Sequence, residues 1–385
     1  TFVPEARLPA YTELFGSGMN VLRRRPLVSS TSRGGTAAAS SAPGPGGGLD
    51  GGALRLLRWS SAALSVLKPL GMGYVAICGA VYVFQRNLQY FPTKESPALP
   101  ASIHKTFSGV REVEFVAADG TRCLGWHWPP PEPEAPVTPF FWLKPSVGGY
   151  GEAEVRRACA EARERYPHLR GLDVLLLHGN AGDRSHRLGW MHLLREGLGV
   201  SVTVLDYRGF GGSDGSPSED GLIADGAAAA KWLRAHGGPA GRKLVLWGES
   251  IGSGVAVALS DGEASAPLSP AERPDAVVIE GGLSSCVDVA ARAYPWLPVR
   301  LPGLMRDRFD NVVRARRMPS SLPVLQLHGT LDEIVPFEFG VQLHEALPAG
   351  NKRFVALEGT GHNDIPYHDT RRYLQEVAEF LGSAV

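Results

Sequence analysis

Lys243-Leu244-Val245-Leu246-Trp247-Gly248-Glu249-Ser250-Ile251-Gly252-Ser253-Gly254 is the stretch on which the reading of this chain turns. Lys243–Trp247 is an apolar run of the kind expected for a strand buried on both faces. Ser253 to Leu259 reads as a helix. Between them lies G-x-S-x-G. A sharp strand-to-helix turn there holds Ser250 in a strained conformation with its hydroxyl exposed, and flanking glycines let neighbouring backbone come close. The helix N-terminus behind the serine adds positive potential at the reacting centre. A chain with 47 glycines produces the motif by chance, so its weight comes from the strand before it and the helix after it.

Working outward, the same alternation repeats. Asp173–Leu177, Val200–Leu205, Asp275–Ile279, Leu322–Leu327 and Lys352–Leu357 read as strands, with helical segments such as Asp220–Ala235 and Thr370–Leu381 among them. Arg111–Ala117 and Thr121–Trp128 read as a strand pair around the turn dipeptide Asp119-Gly120. Strands alternating with helices predict an α/β architecture: a mostly parallel central sheet with helices on both faces.

A serine hydroxyl needs a base, and the base needs an orienting acid. On a strand–elbow–helix scaffold these follow in the order serine, acid, histidine. Asp332 lies in the loop after Leu322–Leu327, and His362 lies on the Gly-rich loop after Lys352–Leu357. Both belong at the C-terminal edge of the sheet, where open α/β sheets place their sites. Ser250, Asp332 and His362 are the expected catalytic residues; Glu280, at the end of the preceding strand, is the alternative acid. Asp364 reads as shaping the histidine loop. The backbone N–H groups of Ile251 and of Asn180, in His178-Gly179-Asn180-Ala181-Gly182 after Asp173–Leu177, are the expected oxyanion donors. His178 and His328, each preceding a glycine at a strand end, read as structural. Asp206–Gly215 is glycine-rich but lacks the Gly-Lys-Ser/Thr ending of a phosphate loop, and reads as a structural loop beside the site.

The remaining composition excludes other classes. Of 385 residues, 39 are basic and 39 acidic, so no net charge draws the chain to nucleic acid. Cys78, Cys123, Cys159 and Cys286 fit no metal or C-x-x-C spacing, and no metal or organic cofactor is implied. Residues 1–53, rich in Gly, Ser, Ala, Pro and Arg, read as disordered. Residues 54–90 read as a membrane-anchor helix. Its uncharged run, residues 69–84, covers about 24 Å at ~1.5 Å per residue, so a crossing must draw on residues from Ser60 onward. Arg55, Arg58 and Lys68 precede that run, and Arg86, Tyr90 and Phe91 follow it. This pattern predicts a single-pass protein with a cytosolic N-terminus; the endoplasmic reticulum or another endomembrane is the expected location. Residues 91–385 form the main domain, with an expected surface insert at about 129–171 and an expansion at 261–273.

HGNAGDR (178–184), DYRGFGGSDG (206–215), GESIGSG (248–254), RFDN (308–311), HGTLDEIVP (328–336) and GTGHND (359–364) together resemble the membrane-anchored α/β-hydrolase domain-containing family. That family holds the fungal bud-emergence-type hydrolases and the animal proteins numbered thirteen, twelve and seventeen. The resemblance runs from about residue 70 to the C-terminus and includes YVFQRNLQYFP (82–92); the 129–171 insert and the 261–273 expansion depart from it. It implies an α/β-hydrolase fold with Ser250, Asp332 and His362 in the triad roles. It is less informative about substrate, since relatives include lipases and protein depalmitoylases. The leading expectation is a membrane-associated serine hydrolase of fatty-acyl esters or thioesters, acting on a membrane lipid or an acylated protein, with residues 60–84 contacting the bilayer. A hydrolase of small soluble esters or peptides, and a non-catalytic membrane scaffold, are the rivals.

Overall fold

The computed structural model describes residues 51–140, 151–236, 241–263, 267–348 and 350–385, the first fourteen of these as backbone alone. Residues 1–50, and so nearly all of the expected disordered region, lie outside the described residues, as do parts of the insert (141–150) and of the 261–273 expansion (264–266).

The strands are β1 (Phe91–Pro92), β2 (Arg111–Val116), β3 (Arg122–Trp128), β4 (Leu172–Leu177), β5 (Ala181–Gly182), β6 (Ser201–Leu205), β7 (Lys243–Glu249), β8 (Ala276–Glu280), β9 (Val324–Gly329) and β10 (Lys352–Leu357). The helices are α1 (Gly51–Gln89), α2 (Pro100–Ile103), α3 (Glu152–Arg165), α4 (Leu188–Leu198), α5 (Glu219–His236), α6 (Ile251–Leu259), α7 (Cys286–Ala293), α8 (Asn311–Ala315), α9 (Phe337–Ala346) and α10 (Thr370–Ala384). An eight-stranded sheet runs in the order β10-β9-β8-β7-β4-β6-β3-β2. It is parallel from β10 to β6; β3 and β2 add on antiparallel. The expected mostly parallel sheet is therefore present. A separate two-stranded pairing joins β1 to β5.

The central strands are buried on both faces because their side chains alternate between two cores. Val174, Leu176, Val245 and Trp247 enter the cluster beneath α4 and α10. Leu175, Leu177, Leu244 and Leu246 enter the cluster beneath α5 and α6. This is the physical reason that these strands read as unbroken apolar runs.

The insert's helix α3 shows its outer face to solvent but sinks Val155 and Cys159 into the first core, next to Val137 and Phe140. It is part of the packing and not decoration alone. Leu67–Gln89 of α1 belongs to the same compact unit as the sheet. Helix α1 contains Pro69 without breaking. Its segment Ser65–Gln89 is long and apolar enough to cross a membrane, and its most apolar window is not buried by the protein.

Glu280, the alternative acid, ends β8 inside the first core. Its Oε1 accepts from Trp247 Nε1 at 2.7 Å and from the Tyr373 hydroxyl at 2.6 Å. Burial pushes its carboxyl up to about 8, against an ordinary 4.5. Between those values the folded carboxyl keeps a proton that the unfolded chain releases, so stability falls as pH rises through that window. Glu280→Gln removes this titration. Its melting temperature relative to the parent should rise from pH 5 to pH 8, at most by the equivalent of about 1.4 kcal/mol per pH unit. A pH-independent difference in thermal melts would contradict the protonated carboxyl.

Candidate active site

Four loops at the C-terminal edge of the sheet meet here: those after β4, β7, β9 and β10. Ser250 stands between β7 and α6 at φ 53° and ψ −120°, a conformation that L-residues avoid. Its N–H donates to the Glu280 carbonyl at 2.9 Å, tying the turn to the end of β8. The flanking glycines are required by contact. A Cβ on Gly252 would lie 1.9 Å from the Leu177 carbonyl oxygen, and one on Gly248 would lie 2.6 Å from the Gly252 carbonyl oxygen.

His362 and Asp332 come together as expected. His362 Nδ1 meets Asp332 Oδ2 at 2.6 Å, with both side chains nearly sealed from solvent. Asp332 Oδ1 accepts from the N–H groups of Ile334 (3.0 Å) and Val335 (2.7 Å). The imidazole edge lies over Gly281, where an added Cβ would be 2.8 Å from Cε1. Gly281 follows Glu280, the residue whose carbonyl holds Ser250, so serine and histidine converge on the same β8 terminus. No hydrogen bond joins Ser250 to His362 among the described residues; such contacts are commonly loose before substrate arrives.

Charge is managed by paired groups. Burial alone would raise the Asp332 carboxyl, but hydrogen bonds from His328 and His362 outweigh it and hold the group well below the usual carboxylate range. For His362, burial favours the neutral ring, while Asp332, Glu249 and Glu333 favour the cation more strongly, so its pKa lies above the ordinary 6.5. His328 therefore does more than pack. Its Nε2 lies 2.9 Å from the Val335 carbonyl and 3.3 Å from Asp332 Oδ2, fixing the proton on that nitrogen. Sequence reading missed this contact; the spacing of His328 and Asp332, four residues apart around a tight turn, is the available signal.

The loop after β4 is clamped from two sides. Glu249 Oε2 accepts from the Gly179 N–H at 3.2 Å, and Arg187 closes on the same carboxylate at 3.0 Å. From the other side, the Asn180 side-chain amide donates to the Gln89 carbonyl at 2.8 Å, and the Phe91 N–H donates to the Asn180 carbonyl at 2.8 Å. The backbone N–H groups of Asn180 and Ile251 donate to no protein acceptor among the described residues. Neither side of this clamp has a sequence signature, because Glu249 occupies a variable position of the G-x-S-x-G motif. His178 packs against Tyr207 and Phe210, and burial pushes it down to about 3, so it is neutral. Asp206, heading the glycine-rich loop, receives the buried Arg184 guanidinium and backbone N–H, a structural brace. Asp364 closes the histidine loop by accepting the Tyr367 and His368 N–H groups on its carbonyl, each at 2.8 Å. A cleft of about 650 Å3 opens between α7 and the start of α9, lined by Arg292, Leu297, Leu301 and Phe339 among others. No cluster of described His, Cys, Asp and Glu residues could hold a metal ion.

A strained serine on an elbow, a buried acid–histidine pair and a parallel sheet behind them define the α/β-hydrolase class, and the family model described as the alpha/beta hydrolase fold matches residues 174–298. Protein bem46 of Schizosaccharomyces pombe is 32% identical over 332 residues, covering 84% of this chain and 95% of its own. The chain belongs to the α/β-hydrolase domain-containing family that includes bem46, and it is a hydrolase. The lysophosphatidylserine lipase ABHD12 of Danio rerio is 32% identical over 254 residues, 63% of each chain. A Pyrococcus furiosus esterase, Pf2001, superposes with a TM-score of 0.53 at 16% identity, over 76% of this chain and 99% of its own, which shows the shared fold.

Gly252→Ala tests the elbow's geometry. A Cβ pressed against fixed backbone should destabilise the fold by on the order of 3 kcal/mol or more. Denaturant unfolding that shows no loss would mean that the elbow relaxes freely.

Proposed function

We propose that this protein is a membrane-associated serine hydrolase of fatty-acyl esters or thioesters, with Ser250, His362 and Asp332 as its triad. The observation that carries this reading is the buried Asp332–His362 hydrogen bond on the β8 terminus that also holds strained Ser250. In the first half-reaction His362 takes the Ser250 proton as Oγ attacks the acyl carbonyl. Asp332 holds the imidazole tautomer and stabilises the cation that forms. The N–H groups of Asn180 and Ile251 receive the developing oxyanion. The alcohol or thiol leaves with the proton from His362, and water, activated by the same base, then frees the acid from Ser250.

Two observations favour a lipid substrate. A relative carries the name lysophosphatidylserine lipase, and the apolar half of α1 from Ser65 is left uncovered by the protein. An S-acyl protein offers the same acyl group beside a membrane. For an upright crossing of the endoplasmic reticulum or another endomembrane, the basic flank Arg55, Arg58 and Lys68 supports a cytosolic N-terminus.

Fluorophosphonate labelling should be strong in the parent and absent in Ser250→Ala; a label that persists identifies another nucleophile. Because His362 must be neutral to accept a proton, turnover should rise with pH through a midpoint above 6.5. Asp332→Asn should reduce turnover by about 10³- to 10⁴-fold. A pH–rate profile whose acid limb lies below 6.5 would contradict the raised His362 pKa.

A further inference from the structure

The contacts of α1 bear on how the protein meets a membrane. The segment Tyr294–Leu304, between α7 and α8, runs alongside the last turns of α1. The Tyr74 hydroxyl donates to the Trp296 carbonyl at 2.8 Å. Gln85 Oε1 accepts from the Arg306 N–H at 2.7 Å, and Arg306 lies over the Tyr82 ring, 4.7 Å from its centre. Arg86 pairs with Asp307 at 2.8 Å, and the Gln89 amide donates to the Asp307 carbonyl at 3.2 Å. These partners share one stripe of the helix. Cys78, Val81, Gln85 and Gln89 are half-buried, while the other faces from Leu70 to Leu88 are exposed and mostly apolar. The segment thus covers the polar stripe and leaves the apolar faces bare.

Geometry limits how such a helix can sit. Tyr74 and Gln89 are fifteen residues apart, about 22 Å along the axis. If Gln89 marked the surface of an upright crossing, Trp296 would lie beyond the middle of a hydrocarbon layer about 30 Å thick. Irregular backbone would lie there with it, and Arg306, bonded to Gln85, would lie several ångströms inside the layer. Exposed non-helical backbone is not tolerated in hydrocarbon, and cations there are costly. The exposed residues of the segment suit another depth. Tyr294, Trp296, Leu301 and Leu304 are more than a third exposed, beside Arg292, Arg300 and Arg306. Aromatic rings next to arginines are the composition of the headgroup layer.

We propose that Tyr74–Gln89 of α1 and Tyr294–Leu304 form one surface that lies within the headgroup layer of a phospholipid bilayer, and that this half of α1 does not cross it. The proposal rests on the membrane-associated reading above and specifies its geometry. The C-terminal end of α1 also holds the Asn180 loop, which ties the surface to the proposed site. With Tyr74–Gln89 in that layer, the basic flank no longer decides on which side the catalytic fold lies.

The full chain, reconstituted in phosphatidylcholine–phosphatidylserine vesicles, provides the test. The Trp296 contribution to fluorescence is the difference between the parent and Trp296→Phe. Lipids brominated high on the acyl chain should quench it strongly, and lipids brominated near the chain end weakly. The reverse order would show an upright helix carrying the segment inside, and quenching by neither would show the segment held off the membrane; each overturns the proposal. Trp296→Ser combined with Leu304→Asp should slow hydrolysis of a vesicle-borne lipid ester about tenfold or more, given what two large apolar side chains contribute to burial. Its turnover of p-nitrophenyl acetate in solution should match the parent. Equal slowing on both substrates, or none on vesicles, counts against the surface. Quenching needs no turnover, so a failed hydrolase reading and a failed membrane geometry remain distinguishable.

Discussion

The close approach of Gly252 to the Leu177 carbonyl is the constraint on which the site depends. It lets α6 start directly against the end of β4, which forces the turn at Ser250 into positive φ and lifts that residue above the sheet. Strain of this kind persists where surroundings over-determine it. Here the surroundings are the Ser250 N–H bonded to the Glu280 carbonyl and the hydroxyl of Ser253 donating to the Ser250 carbonyl at 2.5 Å. Once β4, β7 and β8 are in register, the loops that follow them have little freedom in where they converge.

Three carboxylates around this turn show how environment separates chemically similar groups. Asp332 is ionised because two histidines and two backbone N–H groups surround it. Burial alone would raise Glu249, but Arg187, with help from the Gly179 N–H, holds it below its usual value. Glu280, with two neutral donors and no cation, keeps its proton. A buried anion without such partners would destabilise the fold strongly. The histidine consequently faces one ionised carboxylate at hydrogen-bond distance, that of Asp332, while Glu280 bonds Trp247 and Tyr373.

Much of this was legible in the sequence because it depends on local pattern. Apolar runs such as Asp173–Leu177 announce strands buried on both faces, and Gly248, Ser250 and Gly252 mark an elbow whose backbone admits few other residues. Chain order then picks out Asp332 and His362 from loop positions. Contacts made across the fold left no such trace. Arg187 reaches Glu249 from 62 positions away, and Gln89 reaches Asn180 from 91. Neither pair has a spacing that local periodicity could reveal. The same holds for α3: a charged, Ala-rich helix looks solvated, and the burial of Val155 and Cys159 becomes visible once α4 and α10 are in place.

The pairing of β1 with β5 has a practical side. Laboratories seeking a soluble fragment of a chain with an apolar N-terminal helix cut where the helix ends, here just before Phe91. That cut would keep the strand pairing but remove the Gln89 carbonyl that receives the Asn180 amide and the Arg86 guanidinium that neutralises the buried Asp307. The fragment would carry every residue of the elbow and the acid–histidine pair, with one side of the loop after β4 unsupported and a carboxylate stranded beneath the adjoining segment. Weak turnover from such a fragment would report on its boundary, not on the enzyme.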